Sequence, residues 1–159
     1  MTACRLGLAL AAVMTCTGAF AEEFGNEIEA WTPAAEAGDP VAQELLGLMY
    51  RRSKEYSEAA DWFRRAAKQG RTKAQIGLGW MYESGEGVPL DPARAHMWYD
   101  IAAENRQGVG SDYPWIAAEV LNRAAAYRQR VAARMTETEI AEARRMARIC
   151  ATSDNAACD

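Results

Sequence analysis

The feature that most constrains this chain is that it repeats itself. Ala42, Gln43, Leu46, Gly47, Met49 and Tyr50 recur 32 residues later as Ala74, Gln75, Leu78, Gly79, Met81 and Tyr82. Ala59, Trp62, Phe63, Ala66 and Ala67 recur 36 residues later as Ala95, Trp98, Tyr99, Ala102 and Ala103. The second offset is longer because the loop from Glu83 to Asp91 is four residues longer than its counterpart. A period of this length is the signature of stacked supersecondary units, each too small to bury its own apolar faces.

Each half of the unit is spaced as a helix. Ala42, Leu46, Met49 and Tyr50 fall at i, i+4, i+7 and i+8, one stripe of an α-helix. The second set follows the same logic, so each unit is an antiparallel pair, helix A then helix B. Asp39-Pro40 and Asp91-Pro92 place an N-cap before a proline at the first helical position. Gly70, and Gly108 in the second unit, are expected to stop the B helices. Gly47 and Gly79 let the two backbones approach, with Trp62 or Trp98 expected to fill the remaining space. Alanine is abundant and period-two alternation is scarce. The fold class predicted is all-α, a short α/α solenoid.

The motifs Ala-Gly-Asp-Pro-x-Ala-Gln-x-x-Leu-Gly-x-Met-Tyr (37–50), Ala-x-x-Trp-Phe-Arg-Arg-Ala-Ala-Lys-Gln-Gly (59–70) and Gly-Glu-Gly-Val-Pro-x-Asp (85–91) resemble Sel1-like repeats, relatives of the tetratricopeptide repeat. The resemblance covers residues 34–108. Residues 126–149 are also similar to the terminal helices of bacterial exported proteins of this kind. The resemblance implies adaptor or scaffold work in signalling or envelope complexes and names no partner. Two departures stand out. Arg71-Thr72 replaces Asp-Pro, which predicts a weaker or shifted cap, and after Gly108 the A-helix signature is lost. Ser111-Asp112-Tyr113-Pro114 leads instead into a helical run over 115–134. With 136–149, opened by a Thr136/Glu139 capping box, this run is read as a capping hairpin whose arginines form a solvated face. Ala30 to Gly38 reads as a degenerate B helix shortened by Pro33.

The first segment reads as an export signal. Arg5 precedes an apolar run, Leu6 to Val13, too short for a stable anchor, and Ala19-Phe20-Ala21 offers small residues to a signal peptidase. Cleavage is expected after Ala21; lipid attachment at Cys16 is the competing reading, set back by a poor Val13-Met14-Thr15 lipobox. The expected domains are therefore 1–21, the signal peptide; 22–108, the repeats; and 109–159, the capping helices and tail. The mature chain would be periplasmic or secreted, without a transmembrane segment. Residues 1–21 hold one arginine and no acid, so the remainder has 17 basic and 22 acidic residues, net −5. That balance argues against nucleic acid, whose recognition begins with a basic footprint. Cys150 and Cys158, the two cysteines left after cleavage, read as a disulfide worth about 2–3 kcal/mol in the chain-entropy model.

Catalytic chemistry finds little to build on. His96 is the one histidine, and it lies between the packing residues Ala95 and Trp98, without a nucleophile motif. It reads as a partly exposed structural side chain. Glu83, Glu86 and Asp91 lack the ligand spacing of a calcium loop, and the glycines among them lack the lysine of a phosphate loop. No cofactor and no metal are expected. Trp31 and Trp115 stay unassigned.

A partner surface is the better expectation. In tetratricopeptide-type arrays the A helices line the concave face. Carrying that register over points Glu44, Leu48 and Arg51 outward on the first A helix, and Ile76, Trp80 and Glu83 on the second. An aromatic anchor among aliphatic and charged side chains of both signs suits a peptide or protein partner. With two full units the contact should be short and of micromolar strength. The competing use of Leu48, Ile76 and Trp80 is packing against a neighbouring helix. Two other functions stay open: an exported enzyme acting on cell-wall material or β-lactams, and a structural stabiliser of an envelope complex. The enzyme is suggested by cysteine-rich relatives, whose cysteine pair in each repeat is missing here.

Overall fold

The computed structural model describes residues 19–110, 114–153 and 158, with side chains from residue 25 onward. Seven α-helices follow one another: α1 (Ala19–Glu36), α2 (Pro40–Arg52), α3 (Tyr56–Lys68), α4 (Thr72–Ser84), α5 (Pro92–Glu104), α6 (Pro114–Ala132) and α7 (Glu137–Thr152). The described residues contain no strand, so the all-α expectation holds. None of these helices is long and apolar enough to cross a membrane. Most of the expected export signal, residues 1–18, lies outside the described residues, and so does Ser111-Asp112-Tyr113.

Helices α2 and α3 form the first antiparallel unit and α4 and α5 the second; α1 packs on α2. The repeated residues explain the pairing. Ala59, Phe63, Ala66 and Ala67 form a fully buried stripe on α3, and Ala95, Tyr99 and Ala102 its copy on α5. Small side chains let the backbones close, and one aromatic ring per unit fills the gap. That ring is not the tryptophan. A Cβ on Gly47 would stand 2.5 Å from the Phe63 ring, and one on Gly79 would stand 2.8 Å from Tyr99. Trp62 sits one position round the helix, half-buried, with the Arg65 guanidinium 4.6 Å from its ring centre. Trp98 is buried beside Tyr99 but does not face the glycine.

The loop after α4 is shaped by glycine. Gly85 caps the helix at φ 75°. Gly87, at φ 74°, passes so close to the start of α3 that a Cβ would meet the Tyr56 carbonyl oxygen at 2.2 Å. Only glycine combines that left-handed conformation with that approach.

Neutral hydrogen bonds recur at each joint between units. Gln43 Nε2 donates to Ala35 O at 3.0 Å, and Gln69 Nε2 donates both to Gln43 Oε1 at 2.8 Å and to Gly38 O at 3.0 Å. In the second unit Gln75 Nε2 donates to Ala67 O at 3.3 Å, while Asn105 Nδ2 donates to Gln75 Oε1 at 3.1 Å and to Gly70 O at 2.6 Å. These bonds give Ala35 O and Ala67 O a second donor beside the backbone N–H groups of Gly38 and Gly70, and reach Gly38 O and Gly70 O just past the ends of α1 and α3.

Three local expectations are corrected, and the weaker cap expected at Arg71-Thr72 is found. Pro33 does not shorten the first helix: α1 continues through it to Glu36. At the second unit the cap is weaker, as expected: Arg71 gives α4 no side-chain bond, and Thr72 Oγ1 donates to Asn105 O at 2.9 Å, tying the start of α4 to the end of α5. Helices α6 and α7 close the stack by each packing on α5, not chiefly on one another. The capping box at Thr136/Glu139 is formed, and Cys150 and Cys158 are bonded to one another. The arginines of these helices are not simply a solvated face, since Arg128 pairs with Asp100 and both Arg130 and Arg134 pair with Glu83.

Candidate partner-binding surface

Helices α2, α4 and α6 occupy the A positions of three successive layers. Leu48 and Arg51 lie one turn apart on α2, Ile76 and Trp80 one turn apart on α4, and Val120, Arg123 and Tyr127 along one stripe of α6. These residues converge. Together with Lys73 and Gly77 they line a cavity of about 270 Å³. Leu48, Ile76, Trp80 and Tyr127 are partly buried against the main core, so their packing fixes the walls while one side of each still faces the cleft.

Trp80 is held from below. Its ring centre lies 6.5 Å from that of Tyr56, and the Arg51 guanidinium carbon lies 5.5 Å from its centre, a cation–π arrangement. Glycine at position 77 leaves its place on α4 open to the Phe63 ring, where a Cβ would come within 3.0 Å. The aromatic anchor therefore stands on a preformed floor.

Of the six residues expected on this face, Leu48, Arg51, Ile76 and Trp80 are brought together; Glu44 and Glu83 are not. Glu44 is 4% exposed and holds Arg71 by two hydrogen bonds, at 3.0 and 3.2 Å. Glu83 accepts from Tyr99 Oη at 2.9 Å, from Arg130 at 3.0 and 2.6 Å, and from Arg134 at 2.7 Å, joining α4, α5 and α6. Burial alone would raise the Glu83 pKa. Hydrogen bonds from Arg130 and Tyr99, and the charges of Arg130 and Arg134, outweigh it and hold the carboxyl below its ordinary range. The same contact pushes the Tyr99 hydroxyl far above its usual range, with burial as the larger cause. Both acids are internal staples.

The sequence missed Lys73, Val120, Arg123 and Tyr127. Lys73 was legible by register, since it stands three residues before Ile76 on the same helix. The other three lie on α6, which has no repeat signature.

His96 is a further correction: it is 1% exposed, and its Nδ1 has no hydrogen-bond partner. Burial is the main cause lowering its pKa; Asp100 opposes, while Arg128 and Arg144 add to the lowering. It is a core side chain. A larger, more polar cleft of about 830 Å³ lies between the end of the second unit and α7. Its walls include Gln75 and Asn105, already engaged at the joint between units, and the Asp100–Arg128 pair. It holds no aromatic side chain and no serine, cysteine or histidine. Among the described residues no group of three or more His, Cys, Asp or Glu side chains is placed to hold a metal ion.

Comparison with known proteins locates the repeat. The chain is 41% identical over 81 residues to the chitin synthase regulator SKT5 of Saccharomyces cerevisiae, a match covering 47% of this chain and 12% of that protein. It is 49% identical over 47 residues to chitin synthase regulatory factor 3 of Schizosaccharomyces pombe, covering 30% and 5%. It is 33% identical over 79 residues to the ERAD-associated E3 ubiquitin-protein ligase component HRD3B of Arabidopsis thaliana, covering 47% and 13%. The chain thus spans a small fraction of the length of these relatives. Residues 40–70 and 72–106 match the Sel1 repeat, and those spans coincide with the α2–α3 and α4–α5 pairs. The two helical units are the parts of this chain that match the Sel1 repeat.

Proposed function

We propose that this chain is a helical-repeat adaptor that holds a segment of a partner protein in the cleft between α2, α4 and α6. We further propose that it works in the cell envelope or outside the cell, after loss of residues 1–21. The observation that carries the first reading is the convergence of Leu48, Arg51, Ile76 and Trp80, from two repeats, on one cavity with an aromatic anchor. Sel1 repeat proteins generally act as adaptors between proteins, and the relatives are named as regulators and as a component of a ligase. The export reading is supported by the order of charge, apolar run and small residues in 1–21.

A pocketed aromatic side chain is the kind of residue that dominates binding, with truncation costing about 2 kcal/mol or more, roughly thirtyfold in affinity. The test is cross-linking capture with residues 22–159 from the cell envelope, run beside Trp80→Ala with Leu48→Ala. A defined protein recovered with the parent and lost with the variant is the expected result. Equal recovery by both would move the binding surface off this cleft. Recovery of the native chain still carrying residues 1–21 would end the processing claim.

A further inference from the structure

The cleft has a sign. Its lining includes three cationic side chains, Arg51, Lys73 and Arg123, and no carboxylate. That is not what composition would supply, because acids outnumber bases 22 to 18 in the whole chain. The carboxylates of the surrounding helices are engaged elsewhere. Glu44 is buried on Arg71, and Glu83 is held by Tyr99, Arg130 and Arg134. Glu86 lies in the loop after α4, outside the cleft lining, with Oε2 buried. Glu119 meets Arg123 only in an exposed pair, with 54% and 68% of the two side chains open to solvent. Such a pair is weak and exchangeable. Lys73 and Arg51 make no ion pair among the described residues, and Arg51 lies over the Trp80 ring.

Resting on the adaptor reading above, we infer that the segment held here is acidic: an apolar or aromatic anchor side chain flanked by aspartate or glutamate. The floor of Leu48, Ile76, Trp80 and Tyr127 takes the anchor. Arg51 at one end and Lys73 and Arg123 along the walls take the flanking carboxylates, and their positive field rejects basic flanks by leaving like charges facing each other. A cavity of about 270 Å³ accommodates one large side chain rather than a long apolar stretch, so the charged flanks carry much of the selectivity.

The test is a random-peptide display selection on residues 22–159, on Trp80→Ala, and on Lys73→Glu with Arg123→Glu; the latter two residues are partly or fully exposed helix positions, so the fold should tolerate the change. Circular dichroism of each variant checks this. The expected result is that the parent enriches peptides with Asp or Glu beside an apolar residue, bound about tenfold more weakly in 0.5 M salt than in 0.05 M. The charge-reversed variant should keep the apolar anchor and switch the flanks to Lys or Arg. Enrichment of apolar peptides with no preference of charge would overturn the acidic-segment inference while leaving the cleft a peptide site. No enrichment by a folded parent would overturn the cleft reading itself. Concentration-dependent self-association of the parent, lost on charge reversal, would replace the foreign segment by a second copy of this chain and refute the proposed occupant.

Discussion

Alanine placed at Gly25 and at Gly47 should move stability in opposite directions. Both glycines lie inside helices, α1 and α2, and in each case alanine is the better helix former by about 0.8–1.0 kcal/mol. At Gly25 a Cβ would meet nothing within 4 Å, so that gain should appear almost whole. At Gly47 the Cβ would lie 2.5, 2.7 and 2.9 Å from three carbons of the Phe63 ring, roughly 1 Å inside the ordinary carbon–carbon contact distance. Phe63 is fully buried, and its far edge already comes within 3.0 Å of the place a Cβ would take at Gly77. The ring is therefore clamped between two helices and has no side to yield towards. Overpacking costs about 1–3 kcal/mol, and three carbons this close to a ring that cannot yield put the cost in the upper half of that range, about 2–3 kcal/mol, above the propensity gain. Gly47→Ala should be destabilised by about 1–2 kcal/mol net, a fall of roughly 3–8 °C in melting temperature for a chain of this size. Gly25→Ala should be unchanged or slightly stabilised. Urea unfolding followed by circular dichroism measures both, and Gly47→Ala with Phe63→Leu should recover part of the loss because the two changes share one contact. If Gly47→Ala melts with Gly25→Ala, the ring does not set the spacing of the unit.

Glu83→Gln should loosen α6 from α4 and α5, lowering stability by about 1 kcal/mol, since the two arginines it releases are half exposed or more; amide exchange should rise first in α6. The His96 pKa is lowered in the folded chain, so between that value and about 6.5 the unfolded chain binds more protons. Stability should be flat above pH 7 and fall as pH drops through 6.5, and His96→Gln should flatten that slope whatever it does to the absolute melting temperature. Oxidised protein should be lighter than reduced protein by two hydrogen atoms, from the Cys150 and Cys158 thiols. Cys158→Ser should cost about 2–3 kcal/mol, because the loop closed is short, and two free thiols in native material would contradict the bond.

The repeat made the helix pairs legible because each packing residue is written twice, and a coincidence of types at matched spacing carries more information than either copy. It did not say which of two adjacent aromatics faces the glycine. Trp62 and Phe63 are both repeated as aromatics, yet they differ by about 100° round the helix, and only the smaller ring fits where Gly47 and Gly77 converge. Register likewise placed Glu44 and Glu83 on the outer stripe. What turned them inward are partners far along the chain, Arg71 for one and Arg130 and Arg134 for the other, and pairs at such separations leave no local pattern. Val120, Arg123 and Tyr127 were invisible for a different reason. Helix α6 takes an A position without the A signature, so nothing in its sequence announces that it walls a cleft.

The amide contacts between units carry a consequence for how such chains change over time. Gln43 with Gln69, and Gln75 with Asn105, make the same knot twice from uncharged groups and backbone oxygens. These contacts are indifferent to acidity and ionic strength, unlike the Glu44–Arg71 pair that spans the same joint, and they ask of the next unit only an amide at one place and a glycine carbonyl at another. Copying a whole unit in frame would therefore carry its own fastening with it and lengthen the receptive wall by one helix at a time. Ligand preference could then drift at the exposed A positions while the joinery beneath stayed fixed.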